Sequence, residues 1–270
     1  MNGMRLDAAL VSRGLVSGRE KAKELIQNGF VKVNDIVVTK PTKTVFESDN
    51  IFCDSSSLKY VGRGGFKLEK AITLANLDLK GCMAMDVGAS TGGFTDCMLQ
   101  NGAAHVFAID VGHDQLHASL RADTRVTSLE NTDIRDFEKI AAHIPPESID
   151  FCSIDVSFIS LTQILPHVLP FLSPTATLVC LIKPQFEVGK ADVKKHGVVR
   201  DLRAHRRLLE RFLLYFSDYK WPLRRLMVSP ITGGEGNVEY LAVLGGASDS
   251  PRMTAVFDAL LDEAKAMLKA

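Results

Sequence analysis

From Phe66 onward the chain alternates. The apolar runs "MAMDV", "HVFAID", "VTSLEN", "DFCSID", "TLVCLI", "RLMVSP" and "VEYLAVL" are separated by stretches of helical periodicity. Runs that stay apolar at successive positions must be covered on both faces, and such strands spaced by helices build a mostly parallel sheet. The pattern predicts an α/β domain over residues 66–270. A chain of 270 residues with 46% hydrophobic content can bury a core of that size. Residues 1–59 follow a different rule: two short helical runs, "RLDAALVSRG" and "SGREKAKELIQNG", precede alternating "FVKVNDIVVTKP" and "KTVFESDNIF". Leu6, Ala9 and Leu10 recur at helical spacing, and Asn34-Asp35 between Val33 and Ile36 marks a hairpin turn. Asp7 and Ser17 are the expected helix caps, and Gly14 and Gly29 the expected stops. This reads as a small α+β module, joined by a polar, glycine-containing linker at 60–65 to the larger domain. No internal repeat or low-complexity tract interrupts either lobe.

Charge excludes more than it suggests. Net charge is zero, so an electrostatic footprint for nucleic acid must be local. The five cysteines, Cys53, Cys82, Cys97, Cys152 and Cys180, show neither CxxC nor His-pair spacing, so zinc is not expected and a reducing compartment is. "MNGMRLDAAL" lacks the apolar core of a signal peptide, and no stretch approaches the roughly 18 apolar residues of a membrane span. The expected location is cytoplasmic.

In the first lobe Arg13, Arg19, Lys21, Lys23 and Lys32 fall largely on polar faces, diluted by Glu20 and Glu24. Charge alone describes a solvated surface. The order of residues in "RLDAALVSRGLVSGREKAKELIQNGFVKVNDIVVTKP", however, resembles the small RNA-binding module named after the fourth ribosomal small-subunit protein. The resemblance implies that Arg13, Arg19, Lys23 and Lys32 face RNA phosphates. Gly18, where serine is usual, and Asp35, where a turn glycine is usual, depart from the pattern without removing a basic group.

"MDVGASTGGFTDCML" (85–99) is an apolar strand, a turn with Gly88, Ser90, Thr91, Gly92 and Gly93, and then a helix. Glycines there allow close backbone approach to a ligand at a helix N-terminus. The spacing is neither GxGxxG nor the lysine-bearing phosphate loop, so dinucleotide binding is disfavoured. The next strand ends in Asp110, about twenty residues further on, where a carboxylate accepts ribose hydroxyls in folds of this kind; the third ends near Asp133. The set resembles the S-adenosylmethionine site of Rossmann-like methyltransferases, which implies Asp86 and Gly88 near the methionine moiety, Asp110 on the ribose and Asp133 near the adenine.

Functional groups in an open parallel sheet collect at the carboxyl edge. Two strands end there at Asp155 in "DVSFIS" and Lys183 in "KPQFE", and an antiparallel last strand would begin there with Glu239. A helix opening near Phe66 would add Lys67. Each of the four alone reads as an ordinary charge: a solvated lysine, a loop cap, a strand-edge acid. Together, "RGGFKLEKA", "DVGASTGGFTD", "DVSFISL", "IKPQFE" and "NVEYL" resemble the TlyA family, which joins the RNA-binding module to an FtsJ-type ribose methyltransferase domain. Gly62 stands where that family usually has serine. The resemblance covers nearly the whole chain. It implies a Rossmann-like sheet with an antiparallel last strand, S-adenosylmethionine as cofactor, ribosomal RNA or ribosomal subunits as partner, and Lys67, Asp155, Lys183 and Glu239 as a catalytic tetrad.

Methyl transfer to a ribose 2′-hydroxyl is an in-line displacement, and the neutral hydroxyl needs its proton removed or its oxygen held. Lys183 is the expected base, with Lys67 depressing its basicity, and Asp155 and Glu239 orienting it while acting against that shift. Between Lys190 and Arg211, eight basic residues face three acidic ones, so Lys190, Lys194 and Arg200, together with Arg63, join the expected RNA contacts. The same arginines could be the solvated face of a helix at 202–216, with Leu208, Leu209, Phe212 and Leu213 turned inward. Two other functions compete: a methyltransferase acting on a small molecule or protein with a regulatory N-terminal lobe, and a membrane-lytic haemolysin, a label carried by TlyA relatives. The second is disfavoured because no long basic amphipathic helix, signal or span supports it.

Overall fold

The computed structural model describes residues 3–16, 18–27, 29–54, 59–189, 192–193, 197–218, 221–233, 236–245 and 253–269. The chain divides into two compact units, Met1–Arg63 and Gly64–Ala270.

The first unit contains β1 (Met4–Arg5), α1 (Leu6–Ser12), α2 (Arg19–Gln27), β2 (Val31–Val33), β3 (Ile36–Val37), β4 (Thr44–Val45) and β5 (Ile51–Cys53). Leu6, Ala9, Leu10, Leu25 and Ile26 are buried, as helical spacing requires. Gly14 and Gly29, at φ 68° and 71°, follow the helices. Asn34 and Asp35 both have positive φ, the conformation of a two-residue hairpin between β2 and β3. Asp7 differs from expectation. Arg5 holds the cap position of α1, and Asp7 lies inside the first turn, fully buried. There it accepts hydrogen bonds from Arg5 Nε at 3.0 Å, Arg5 Nη2 at 2.8 Å and the Ala8 amide at 2.8 Å. The Arg5 hydrogen bonds lower its pKa, overcoming the effect of burial. Ser17, the other expected cap, lies outside the described residues.

The second unit begins with α3 (Gly64–Ala75), two residues before Phe66, and continues through β6 (Met83–Val87), α4 (Gly93–Gln100), β7 (His105–Ile109), α5 (Ala118–Arg121), β8 (Val126–Leu129), α6 (Phe137–Ala141), β9 (Ile149–Ile154), α7 (Leu161–Val168), β10 (Leu172–Ile182), α8 (Pro184–Glu187), α9 (Leu202–Asp218), β11 (Leu223–Val228), β12 (Tyr240–Leu244) and α10 (Met253–Met267). Each of the seven apolar runs forms a strand of one sheet, in the order β11-β12-β10-β9-β6-β7-β8. The strands from β8 to β10 pair in parallel, and β12 is antiparallel to both of its neighbours. All five residues of β12 are buried, so both faces of the sheet are covered there. Because β12 runs backwards, its first residues lie at the same edge as the last residues of β6, β7, β9 and β10. Among the described residues no helix is long and apolar enough to cross a membrane, and the five cysteines are free.

Candidate active site

The turn after β6 is shaped by backbone. Gly88 has φ 84°, and a Cβ built there would lie 2.6 Å from the Asp155 carbonyl oxygen and 2.9 Å from its carbon. No side chain fits this position. The Gly88 and Ala89 amides donate to the Ile109 carbonyl at 2.8 and 3.1 Å, and Asp110 accepts from the Ser90 amide at 2.8 Å and the Gly112 amide at 2.7 Å. A cavity of about 510 Å³ opens here, lined by Gly88, Ser90, Asp110, Gln115, Asp133 and Phe158 among others. Asp133 is gripped by Arg135 (Nε to Oδ1 2.9 Å, Nη2 to Oδ2 2.6 Å), which lowers its pKa.

Four residues expected at the cofactor do not line this cavity. Successive strand residues face opposite sides, so with Val87 lining the cavity, Asp86 points away from it. It is fully buried and accepts from Thr95 Oγ1 at 2.7 Å and Ser153 Oγ at 2.9 Å. Burial raises its pKa to about 6. Thr91, Gly92 and Gly93 do not line the cavity either. Gly92 caps α4 in the left-handed conformation, Gly93 opens that helix, and the exposed Thr91 accepts the His117 amide at 3.2 Å. Their role is to start the helix that frames the turn.

The sheet edge gathers all four charges. Lys67 Nζ lies 2.7 Å from Glu239 Oε2 and 3.8 Å from Asp155 Oδ2, and Lys183 Nζ lies 2.5 Å from Asp155 Oδ1. Lys67, Lys183 and Glu239 are buried. The result is an alternating line, Lys183–Asp155–Lys67–Glu239. Burial alone would raise the Asp155 carboxyl, but the Lys67 and Lys183 ammoniums outweigh it and hold that carboxyl below its ordinary range. Lys70, three residues along α3, instead pairs with Glu263 at 3.0 Å.

Sequence reasoning passed over several neighbours. Lys183 Nζ donates to Ser157 Oγ at 3.0 Å and lies 5.9 Å from the Phe186 ring centroid. Gln185 Nε2 donates to Glu239 Oε1 at 3.4 Å. A Cβ at Gly233 would come within 2.6 Å of that same oxygen. Asn237 accepts the Val199 amide at 2.9 Å and donates to the Gly197 carbonyl at 2.9 Å, fixing the chain two residues before Glu239. Ser157 and Gln185 sit inside the quoted motifs, and that adjacency was the available signal.

The expected RNA contacts are dispersed. Arg13 donates to the carbonyls of Asp49 at 2.7 Å and Phe46 at 2.8 Å, stapling its own unit. Arg19 lies 3.6 Å from Asp7, Lys23 is half-buried, and Arg63 donates to the Gly29 carbonyl at 3.5 Å. Lys32 is exposed and pairs across the strand with exposed Phe52. Arg200 is exposed, and Lys190 and Lys194 lie outside the described residues. On α9 the arginines meet acids: Arg203 with Asp201, Arg206 with Asp258, Arg207 with Asp192 and Arg211 with Glu187. These arginines each have an acid neighbour while remaining largely at the surface.

A mostly parallel seven-stranded sheet with one antiparallel strand, a glycine turn after its first strand and a carboxylate after its second defines a Rossmann-like methyltransferase. The chain belongs to the FtsJ-like methyltransferase family, which matches residues 60–246, and carries an S4 domain matched at residues 4–51. YqxC of Bacillus subtilis, named as a candidate rRNA methyltransferase, is 43% identical over 242 residues, covering 88% of this chain and 84% of its own. The 16S/23S rRNA (cytidine-2′-O)-methyltransferase TlyA of Mycobacterium tuberculosis is 39% identical over 250 residues, covering 91% of each chain. A solved structure from Streptococcus thermophilus, designated a candidate hemolysin, superposes with TM-score 0.74 at 38% identity, covering 100% of this chain and 98% of that one.

Proposed function

We propose that the protein transfers a methyl group from S-adenosylmethionine to a ribose 2′-hydroxyl of ribosomal RNA. The observation that carries this reading is the line Lys183–Asp155–Lys67–Glu239 beside the glycine turn, within hydrogen-bond or ion-pair reach of one another. The two halves are physically joined, because the Asp155 carbonyl is the atom that forbids a side chain at Gly88. The residues present suit the cofactor: a turn that only glycine can occupy, and two carboxylates on the cavity wall, Asp110, which we assign to the ribose hydroxyls, and Asp133, held by Arg135. When bound, S-adenosylmethionine supplies an electrophilic methyl carbon.

The chain's own groups do the rest. Lys183 is an ammonium while paired with Asp155, so Nζ must first give a proton to solvent; the neutral amine then takes the proton of the 2′-hydroxyl, and Asp155 and Ser157 fix where that nitrogen points. Lys67 ties Asp155 to Glu239, and Glu239 orients the ribose. Exposed Lys32 and Arg200 contribute phosphate contacts, with Arg19, Lys23, Arg63, Lys190 and Lys194 in support. The test is mass-spectrometric mapping of ribose methyls in rRNA from a deletion strain, complemented with wild type or Lys183→Ala. A methyl lost on deletion and restored only by wild type supports the reading; no lost ribose methyl refutes it. Calorimetry with Asp110→Ala checks the cofactor assignment separately, and an unchanged affinity counts against it.

A further inference from the structure

Asp155 and Lys183 follow neighbouring parallel strands, but the β9–β10 ladder ends at Cys180 and Ile154. Beyond that point sheet hydrogen bonds no longer hold the segments 155–160 and 183–187 together, although the 2.5 Å approach of Lys183 to Asp155 depends on their separation. Each segment is held by its other neighbour, Asp155 by the Val87 carbonyl at 2.9 Å and Ile182 by Tyr240, so a direct link between the two segments would fix that distance further.

We propose that Glu187 and Arg211 are positioning residues that lock these two segments together. The Glu187 side chain is only 2% exposed. Its Oε1 accepts the Leu161 amide at 2.8 Å and its Oε2 accepts Ser160 Oγ at 2.7 Å, so a carboxylate on the lysine segment grips the end of the aspartate segment. The cap of α7, Ser160 Oγ, accepts only the Thr162 amide at 3.2 Å, and Glu187 takes the Leu161 amide that this cap leaves, from a segment 26 residues away. Arg211 closes the arrangement from α9, donating to the Glu187 carbonyl at 2.8 Å and lying 3.5 Å from Oε2. A buried carboxylate is costly unless hydrogen bonds and a countercharge satisfy it, and both are supplied here. The side-chain partners of Glu187 are Ser160, Leu161 and Arg211. It acts through the backbone positions of Ser160, Leu161 and its own short helix.

The proposal rests on the ribose-methylation reading, and its test separates the two. Full-length Glu187→Gln and Arg211→Met are compared with wild type for kcat at saturating cofactor and RNA, and for cofactor affinity by calorimetry. The Asp155 carboxyl carbon is titrated by NMR in protein labelled with ¹³C-aspartate, the signal being assigned with Asp155→Asn. A misplaced base costs about 10–10²-fold, so kcat should fall by about that factor in Glu187→Gln while cofactor affinity holds. As Lys183 drifts away, Asp155 should titrate at higher pH than in wild type. A merely structural role would lower melting temperature and active fraction but leave the Asp155 titration in place, and that result overturns the proposal. Arg211→Met, at a half-exposed site, decides the matter in the same way if Glu187→Gln does not fold. If wild type methylates no RNA, the function reading fails, and the Asp155 titration still tests the lock.

Discussion

Gly88→Ala should both destabilise the protein and remove cofactor binding, and its cost can be worked from two separate terms. The first is conformational: φ 84° is strained for any residue with a Cβ, at about 1–3 kcal/mol. The second is steric. The new methyl would meet the Asp155 carbonyl oxygen at 2.6 Å and its carbon at 2.9 Å. These are backbone atoms of a residue whose amide is bonded to the Val87 carbonyl at 2.9 Å, so no flexible chain end can yield. Overpacking against fixed structure adds about 1–3 kcal/mol. Gly81 provides the control, since it has φ 77° with nothing within 4 Å of an added Cβ. Gly81→Ala should cost the first term alone. Urea denaturation should place Gly88→Ala about 1–3 kcal/mol below Gly81→Ala, which is roughly 2–12 °C in melting temperature for a unit of this size. Relief of the clash must also displace Asp155 or open the turn, so calorimetry should show at least about a tenfold loss of S-adenosylmethionine affinity in Gly88→Ala and none in Gly81→Ala. Equal stability of the two variants, or unchanged affinity in Gly88→Ala, would refute the reasoning.

Lys67→Ala should lower methyl transfer at saturating substrate with little change in cofactor or RNA binding. Lys183→Ala should lower it more, by about 10²–10⁴, and Lys67→Ala should add little in a protein already lacking Lys183; Lys70→Ala, remote from the site, should be near wild type, and equal turnover in all the variants would dissolve the tetrad. Asp86, raised to about 6 by burial, binds its proton more tightly folded than unfolded, so the stability linked to it is full below the unfolded pKa and is lost as pH rises to about 6. Urea titrations from pH 4 to 7 should show a loss of about 2 kcal/mol from this group, absent in Asp86→Asn; parallel curves would contradict the assignment. Lys32→Ala should weaken RNA binding uniformly across sequences and reduce the salt slope by about 1, whereas an unchanged slope places Lys32 outside the interface.

The strands were legible because burial on both faces leaves continuous apolar runs, a signal written locally in each run. Glu239 was legible for a topological reason: once β12 is antiparallel, its beginning must share an edge with the ends of β9 and β10. That Asp86 faces Thr95 and Ser153 and not the cavity was not legible, because a motif gives proximity along the chain but not facing, and one step along a strand reverses the side. The acid partners of the α9 arginines were not legible in the helix itself. Arg206 pairs with Asp258, 52 residues away and beyond any window on the helix, whereas Asp192, the partner of Arg207, lay inside the stretch from Lys190 to Arg211 as one of its three acids. Glu187 is the sharpest case. In sequence it is the last letter of "KPQFE" and looks like a surface acid after a lysine; in the fold it is nearly inaccessible and holds a helix that begins 26 residues earlier. Asp155, Lys183 and Glu239 sit at strand ends, where topology announces them. Residues that hold those ends in register depend on contacts between loops, and loop contacts have no period to read.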